Sequence, residues 1–235
     1  MPKIGDALKM AVEQKPDNIT GEQTRARPAS ALMNPNRRRI YQHLCIHPCS
    51  RLGPIASGTS LSRSSAKWHL EVLVEADYVR EFLVDGKSHY CPHGLVSAQN
   101  LQLFAALGNN NNAEVFKVVL QNPGFDAGML ASLLGISTSL ARNSLSELLG
   151  IGLVSCVADG RYIRYFPTEK YRDAIRMEKG AHREFIRHLV GRLSREHLKP
   201  ELGDLKGPNT VIAISILGQS DRIIVPRQAH PLLQQ

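Results

Sequence analysis

The spacing of apolar residues in the first third of the chain predicts three helices. Asn34 and Pro35 are residue types favoured at a helix cap and in its first turn, and an apolar face follows them before Pro48. A short second helix is expected at 52–57. The third helix follows the cap residue Ser62. Its core-facing side carries apolar residues at helical spacing, namely Ala66, Leu70 and Leu73.

Two β-prone runs come next, at 78–84 and 87–91. They are joined by Asp85-Gly86, a dipeptide that tolerates positive φ and so favours a tight hairpin turn. The order predicted for this part of the chain is therefore helix, helix, helix, hairpin.

The same order is repeated 75 residues later. The shift places Leu70 on Leu145 and Tyr90 on Tyr165, and it slips by one residue only at the hairpin turn, where insertions are tolerated. The predicted fold class is mainly α with small β-wings (α+β), with two tandem units that are joined and followed by helices.

The segment 61–79 carries a family resemblance. Its serine-rich start, the pair His69-Leu70 and the acidic-Ala turn into the hairpin resemble the recognition helix and wing of winged helix-turn-helix regulators of the arsenical-resistance and multiple-antibiotic-resistance types. Asp77 departs from the glycine usual there, but Asp also tolerates left-handed geometry. The second copy, 136–154, is similar and lacks the His. The tandem arrangement resembles archaeal transcription regulators, including those acting on archaellum genes.

Together the two copies, 35–92 and 113–168, cover a little under half of the chain. The resemblance implies two winged helix-turn-helix domains. The predicted division is a flexible N-terminal arm at 1–33, a first winged-helix domain at 34–93, a linker helix with an Asn-rich linker at 94–112, a second winged-helix domain at 113–168, a long helix forming a dimer interface at 169–200, and a tail with a β-hairpin at 201–235.

Charge adds a class of partner. The 235 residues include 29 Lys and Arg against 21 Asp and Glu, a net charge of +8, which favours a polyanion such as nucleic acid or an acidic membrane surface. The longest apolar stretch, 211–217, is too short for a membrane helix, and the start of the chain has no apolar signal segment. We therefore expect a cytoplasmic protein that does not enter membranes and whose four cysteines are thiols.

In a winged helix-turn-helix, the start of the third helix reaches base edges in the major groove. The residues expected to point outward there are Arg63, Ser64, Ser65, Lys67 and Trp68. Arg and Lys can donate to guanine, Ser to a base or phosphate, and Trp can contact a thymine methyl. His69 is expected to be half buried.

Further residues are expected to contact the DNA backbone or to belong to a second DNA-binding unit. On the wing these are Lys87 and His89, and on the first helix they are Arg37, Arg38 and Arg39. In the second copy, which has no net charge, they are Arg142, Asn143 and Arg161. The hydrophobic Leu140 stands where a polar contact is expected, so the second copy is either a DNA reader or a packing or partner module.

Cysteine and histidine residues form a further group of candidates, for a metal or redox site. Cys49, Cys91 and His93 would suit zinc or copper(I) if the wing brought them together, but their spacing matches no zinc motif. Buried cysteines acting as small apolar residues are the simpler interpretation, and Cys156 is expected in the core.

Three functions compete on this basis. No catalytic motif is present, so neither an enzyme nor a cofactor is expected. The leading hypothesis is a sequence-specific regulator that binds double-stranded DNA as a homodimer. The alternatives are a protein-interaction scaffold with a partner in the transcription machinery, and a metal- or redox-responsive repressor.

Overall fold

The computed structural model describes residues 30–203 and 207–227. Within them it has eight α-helices and three small antiparallel sheets, which confirms the α+β fold class. None of these helices is both long and apolar enough to cross a membrane. Residues 1–29 of the predicted arm lie outside the described residues. The prediction was wrong for its last residues, because Ala31–Met33 form a 3₁₀ turn and Leu32 is fully buried in the core.

The first unit has the predicted order of elements. These are α1 (Pro35–Ile46), α2 (Leu52–Thr59), α3 (Arg63–Glu75), β1 (Val79–Val84) and β2 (Lys87–Pro92). Asn34 caps α1, since its side-chain oxygen accepts from the backbone N–H groups of Asn36 and Arg37 at 2.9 and 3.2 Å. Helix α2 continues beyond the expected 57, because the chain leaves it only at Ser60, which has a left-handed φ of 55°.

The turn that leads into the wing and the turn at its tip contain residues with a left-handed backbone conformation. Asp77 has φ 56°, so it adopts the left-handed geometry that glycine most readily takes. At the tip, Asp85 and Gly86 have φ 49° and 70°, which suits the twist of a two-residue hairpin.

The same order of elements occurs again from residue 110. It consists of α5 (Asn110–Gln121), α6 (Ala127–Leu134), α7 (Thr138–Gly150), β3 (Val154–Asp159) and β4 (Tyr162–Pro167), preceded by the connecting helix α4 (Leu101–Leu107). The predicted Asn-rich linker was wrong. Asn109 caps α5, and Asn112 is buried in its first turn, where its amide donates to Glu147 at 2.5 Å. The core position expected for Cys156 was also wrong, because this residue is exposed on β3.

Helix α8 (Lys170–Arg195) makes contacts with both units, with the segment that precedes α4 and with the C-terminal sheet. Tyr171 meets Phe116 of the second unit edge to face, with ring centroids 5.0 Å apart. Buried Glu178 accepts from the amide of Asn100 at 2.6 Å and from the backbone of Ser97. Farther along, Leu189 and Leu193 are buried. The long helix was predicted to form a dimer interface, but its apolar side is largely used for packing within one chain.

The C-terminal hairpin is present and covers the first unit. Strands β5 (Glu201–Leu202), β6 (Asn209–Ile216) and β7 (Gln219–Pro226) form one sheet in that order. Gln42 of α1 exchanges two hydrogen bonds with the backbone of Ile224, at 2.8 and 2.6 Å. The buried apolar residues of both units, α8 and this sheet form one continuous core.

Candidate nucleic-acid interface

The start of α3 is held by its cap. The Ser62 hydroxyl accepts from the backbone N–H of Ser65 at 3.1 Å, which confirms the predicted N-cap. One face of the helix is buried through Ala66, His69, Leu70 and Leu73. Because these residues fix the rotation of α3, the opposite face is turned outward.

Four of the five side chains predicted on that outward face are exposed. They are Arg63, Ser64, Lys67 and Trp68, while Ser65 is half-buried. Trp68 keeps 55% of its surface exposed, a large value for an aromatic residue. Lys67 is 3.9 Å from Glu71, a long ion pair between exposed side chains that a phosphate or base can replace at little cost.

The field at this end of α3 favours an anion. The first turn has no acidic residue, and Arg63 and Lys67 add positive charge to the unpaired N–H groups of the helix start. His69 adds none, because burial lowers its pKa from the usual 6.5 and the charge of Arg37 lowers it further.

The wing supplies a different set of cations from the one predicted. Lys87 is exposed at the tip, as expected, but His89 is buried, with Nδ1 2.8 Å from the carbonyl oxygen of Cys49. The predicted phosphate contact for His89 was wrong, because its strand turns this side chain toward Phe82, with ring centroids 5.7 Å apart. Burial lowers the pKa of His89, and the positive charges of Arg51 and Lys87 also lower it.

Arg51 was missed by the sequence reasoning. It is exposed at the residue that precedes α2, and it lines the same cleft beside the wing as Lys87. The available signal was a basic residue directly before a helix, a position from which a side chain can reach a phosphate.

The three arginines of α1 differ in how available they are to contact DNA. The prediction for Arg38 was wrong, since its guanidinium pairs with Asp221 at 2.5 Å and donates to the carbonyl oxygens of Leu32 and Met33. Arg37 is half-buried and donates to the carbonyl of Ala31. Arg39 is exposed and makes one long contact, 3.4 Å, to the carbonyl of Thr59, which leaves it available to a phosphate.

Comparison with known proteins supports the same part of the chain. Residues 32–81 match the family model of a helix-turn-helix domain. With the geometry of α2, α3 and the wing, this decides the fold of the first unit. Residues 35–92 have the fold of a winged helix-turn-helix domain.

One relative is a transcriptional regulator by name. An uncharacterized HTH-type transcriptional regulator of Methanocaldococcus jannaschii is 25% identical over 138 residues, which are 59% of this chain and 34% of the relative. The chain thus spans about a third of the length of that relative.

Two solved structures are similar over part of the chain. An ArsR-like transcriptional regulator from Rhodococcus sp. RHA1 is 26% identical, with a TM-score of 0.37, over 42% of this chain and 92% of its own. Reduced HlyU from Vibrio cholerae is 22% identical, with a TM-score of 0.30, over 41% and 88%.

The second unit differs from the helix-turn-helix domain in its surface. Arg142 and Asn143 are exposed on α7, as predicted, and Leu140 is half-buried. Arg161 is exposed, but it donates to the hydroxyl of Tyr162 at 2.7 Å and lies 5.0 Å from the centre of that ring. The exposed large apolar residues of this unit are Met129, Leu133, Val157, Tyr162 and Ile163.

The cysteine and histidine candidates do not assemble as a metal site. Cys49 and Cys91 are buried beside each other, and burial raises the pKa of the Cys49 thiol. His93 is exposed instead and meets Asp77 at 2.6 Å. Across 30–203 and 207–227, no group of three or more His, Cys, Asp or Glu side chains is arranged to hold a metal ion.

Proposed function

We propose that this chain is a transcription regulator, rather than an enzyme, and that it binds double-stranded DNA with α3 in the major groove. The observation that carries the proposal is the capped start of α3, from which Arg63, Lys67 and Trp68 project into solvent with no acidic residue in the first turn. In this arrangement base edges meet two cations and an apolar ring.

Backbone contacts come from the cations beside this helix. Lys87 and Arg51 lie at the wing and Arg39 on α1, and all three are exposed. Such contacts raise affinity for any sequence and make binding salt-dependent, whereas Arg63 and Lys67 discriminate between sequences.

The test is fluorescence anisotropy with pooled fragments of the source genome and with random duplex, at several salt concentrations. We expect salt-sensitive binding that selects particular fragments, and loss of the selection in Arg63→Ala and Lys67→Ala. Arg176→Ala, an exposed arginine on α8, is the matched control and should bind as the unchanged protein does. Equal binding of selected and random duplex, unaffected by the α3 variants, would refute the proposal.

A second function is favoured for the second unit. Residues 113–168 have four basic and four acidic residues, and the wing exposes Val157 by 57% and Ile163 by 51%. Exposed apolar side chains without surplus charge suit a protein contact better than a phosphate backbone. We therefore assign this unit to protein interaction, either with a second copy in a homodimer or with another component of transcription.

Light scattering of the full chain tests this assignment. Val157→Ser with Ile163→Ser should abolish any dimer that the unchanged chain forms. When the variant and the unchanged chain are compared as monomers, both should select the same duplexes through α3. The assignment fails if Arg142→Ala and Asn143→Ala weaken duplex binding as much as the α3 variants do.

A further inference from the structure

Helix α8 carries most of the surplus charge of the protein. Lys170–Arg195 contains eight basic and three acidic residues, a surplus of five positive charges out of +8 for the whole chain. Five of the basic residues recur every three or four positions and form one exposed row, consisting of Arg172, Arg176, Lys179, Arg183 and Arg187.

The last three residues of this row, Lys179, Arg183 and Arg187, border a groove with an apolar floor. The groove has a volume of about 810 Å³ and lies between α8 and the C-terminal sheet. Ile186 and Val190 of α8 and Leu202 of β5 form its floor, and Leu202 is 49% exposed.

Among the described residues, the lining of the groove includes four cationic side chains and no carboxylate. Lys179, Arg183, Arg187 and Arg227 line it. Arg187 is partly neutralised by Glu184, 2.8 Å away, but neither Lys179 nor Arg183 has an ion pair among the described residues. His182, also in the lining, adds no charge at neutral pH, because burial and the charge of Arg227 hold its pKa below the usual value.

These features disfavour two occupants. A two-fold dimer would place the same cations of each copy against one another, which costs free energy. Duplex DNA would satisfy the cations but would leave the apolar floor without a partner, since its exposed surface is a charged backbone.

We infer that this groove binds an acidic amphipathic helix of a partner protein. The apolar stripe of such a helix covers Ile186, Val190 and Leu202, and its carboxylates meet Lys179 and Arg183 at the rim. Lys179 and Arg187 are eight residues apart, about 12 Å along α8, so two to three turns of the partner match the part of the row that lines the groove.

The test uses a fluorescein-labelled peptide of about 20 residues with Leu at i, i+3, i+4 and i+7 and Glu at most other positions. A scrambled peptide of the same composition, which cannot form an apolar stripe, measures attraction by charge alone. Binding to the full-length chain is followed by anisotropy at physiological salt. We expect saturable binding of the amphipathic peptide and at least about tenfold weaker binding of the scrambled one.

Charge reversal within one helix provides the matched control. Lys179→Glu with Arg183→Glu should weaken peptide binding by about tenfold or more, whereas Arg172→Glu with Arg176→Glu, the same change outside the groove, should weaken it less than about threefold. Ile186→Ala with Val190→Ala tests the floor and should also reduce binding. Circular dichroism establishes that each variant is folded.

Several outcomes would overturn the inference. These are no saturable binding, equal binding of the scrambled peptide, equal loss in both charge-reversed variants, duplex binding that depends on Lys179 and Arg183, or a dimer that the groove variants dissociate. The proposed DNA function is tested separately, because Arg63→Ala should leave peptide binding intact and the groove variants should leave sequence selection intact.

Discussion

The guanidinium of Arg192 stacks on the ring of Tyr78, 3.6 Å from its centre. The same side chain donates to the carbonyl oxygens of Ala76 and Asp77 and to Glu196, which also accepts from the Tyr78 hydroxyl at 2.5 Å. Helix α8 is thereby fastened to the turn between α3 and the first wing.

Replacing Arg192 should therefore weaken this junction. Arg192→Ala removes the stacking, and it removes the donor of the Ala76 and Asp77 carbonyl oxygens and of one oxygen of half-buried Glu196, so we expect the free energy of unfolding to fall by about 2–3 kcal/mol. Urea unfolding measures it. Arg195→Ala is the control, because Arg195 is exposed and donates only to Gly191 within the described chain. A similar loss in both variants would contradict the assignment.

Buried Glu178 should be sensitive to truncation. Glu178→Ala leaves the Asn100 amide and the Ser97 N–H without their acceptor, at an expected cost of about 2 kcal/mol, while Glu178→Gln retains one oxygen and should cost less. Thermal unfolding compares them with Glu184→Ala, an exposed carboxylate of the same helix whose removal should cost under about 0.5 kcal/mol. If Gln and Ala were equally damaging, the hydrogen bonds would not be the cause.

Gly58 lies beneath the imidazole of His43, because a Cβ at Gly58 would be 2.4 Å from Cε1 of that ring. Gly58→Ala alone should destabilise the protein by about 1 kcal/mol, since the ring has to move. In a His43→Ala background the same change should stabilise it by up to about 1 kcal/mol, through helix propensity. The four free energies of unfolding form a double-mutant cycle, and a coupling below about 0.5 kcal/mol would show that the ring moves freely.

Acidification should destabilise the fold through His43. Burial lowers the pKa of His43 from 6.5 to about 4, and the neighbouring His47 contributes in the same direction. The unfolded chain takes up this proton near pH 6.5 and the folded chain only near pH 4, so the free energy of unfolding falls as the pH is lowered between these values and is retained above them.

His43→Gln should flatten that dependence, measured by urea unfolding at several pH values between 7 and 4. It should not remove it entirely, because burial also lowers the pKa values of His69, His89 and His182. Ser146→Ala, an exposed position without an ionisable side chain, serves as the comparison and should keep the slope of the unchanged protein. Identical slopes for both variants would rule out His43 as a source.

Arg51 should contribute to DNA binding without contributing to selection. We expect Arg51→Ala to weaken selected and random duplex by the same factor and to reduce the log–log salt slope by about 0.9, the value for one phosphate contact. Arg63→Ala should instead reduce the discrimination between them, by about 1–3 kcal/mol. An unchanged salt slope in Arg51→Ala would remove this residue from the interface.

The features that could be predicted from sequence are those encoded locally. The caps Asn34 and Ser62 satisfy helix N–H groups two or three residues away, and Asp85-Gly86 makes its own turn. The apolar side of α3 could be predicted equally well, because the helical spacing of its apolar residues does not depend on residues distant in sequence. The outward set at the start of α3 follows from that side by geometry.

The features that were missed depend on contacts distant in sequence. The partner of Arg38 is Asp221, 183 positions away. Asn has low helix propensity, so the run before residue 113 indicated a linker, but Asn112 gains a bond to Glu147 of α7 and is held in the helix. The strand that carries His89 is buried without alternation from His89 to Pro92, so the sequence pattern could not show that the His89 side chain turns inward to the carbonyl of Cys49.

The contacts of α8 fix the distance between the two units, and therefore the distance between molecules that bind to them. Because one continuous helix packs on both units, α3 and α7 are held at a constant separation instead of being joined by a tether. A partner protein bound to the second unit would then be held at one fixed position relative to the bases that α3 reads. If that partner also binds DNA, an insertion of about five base pairs between the two sites, half a helical turn, would place them on opposite sides of the duplex.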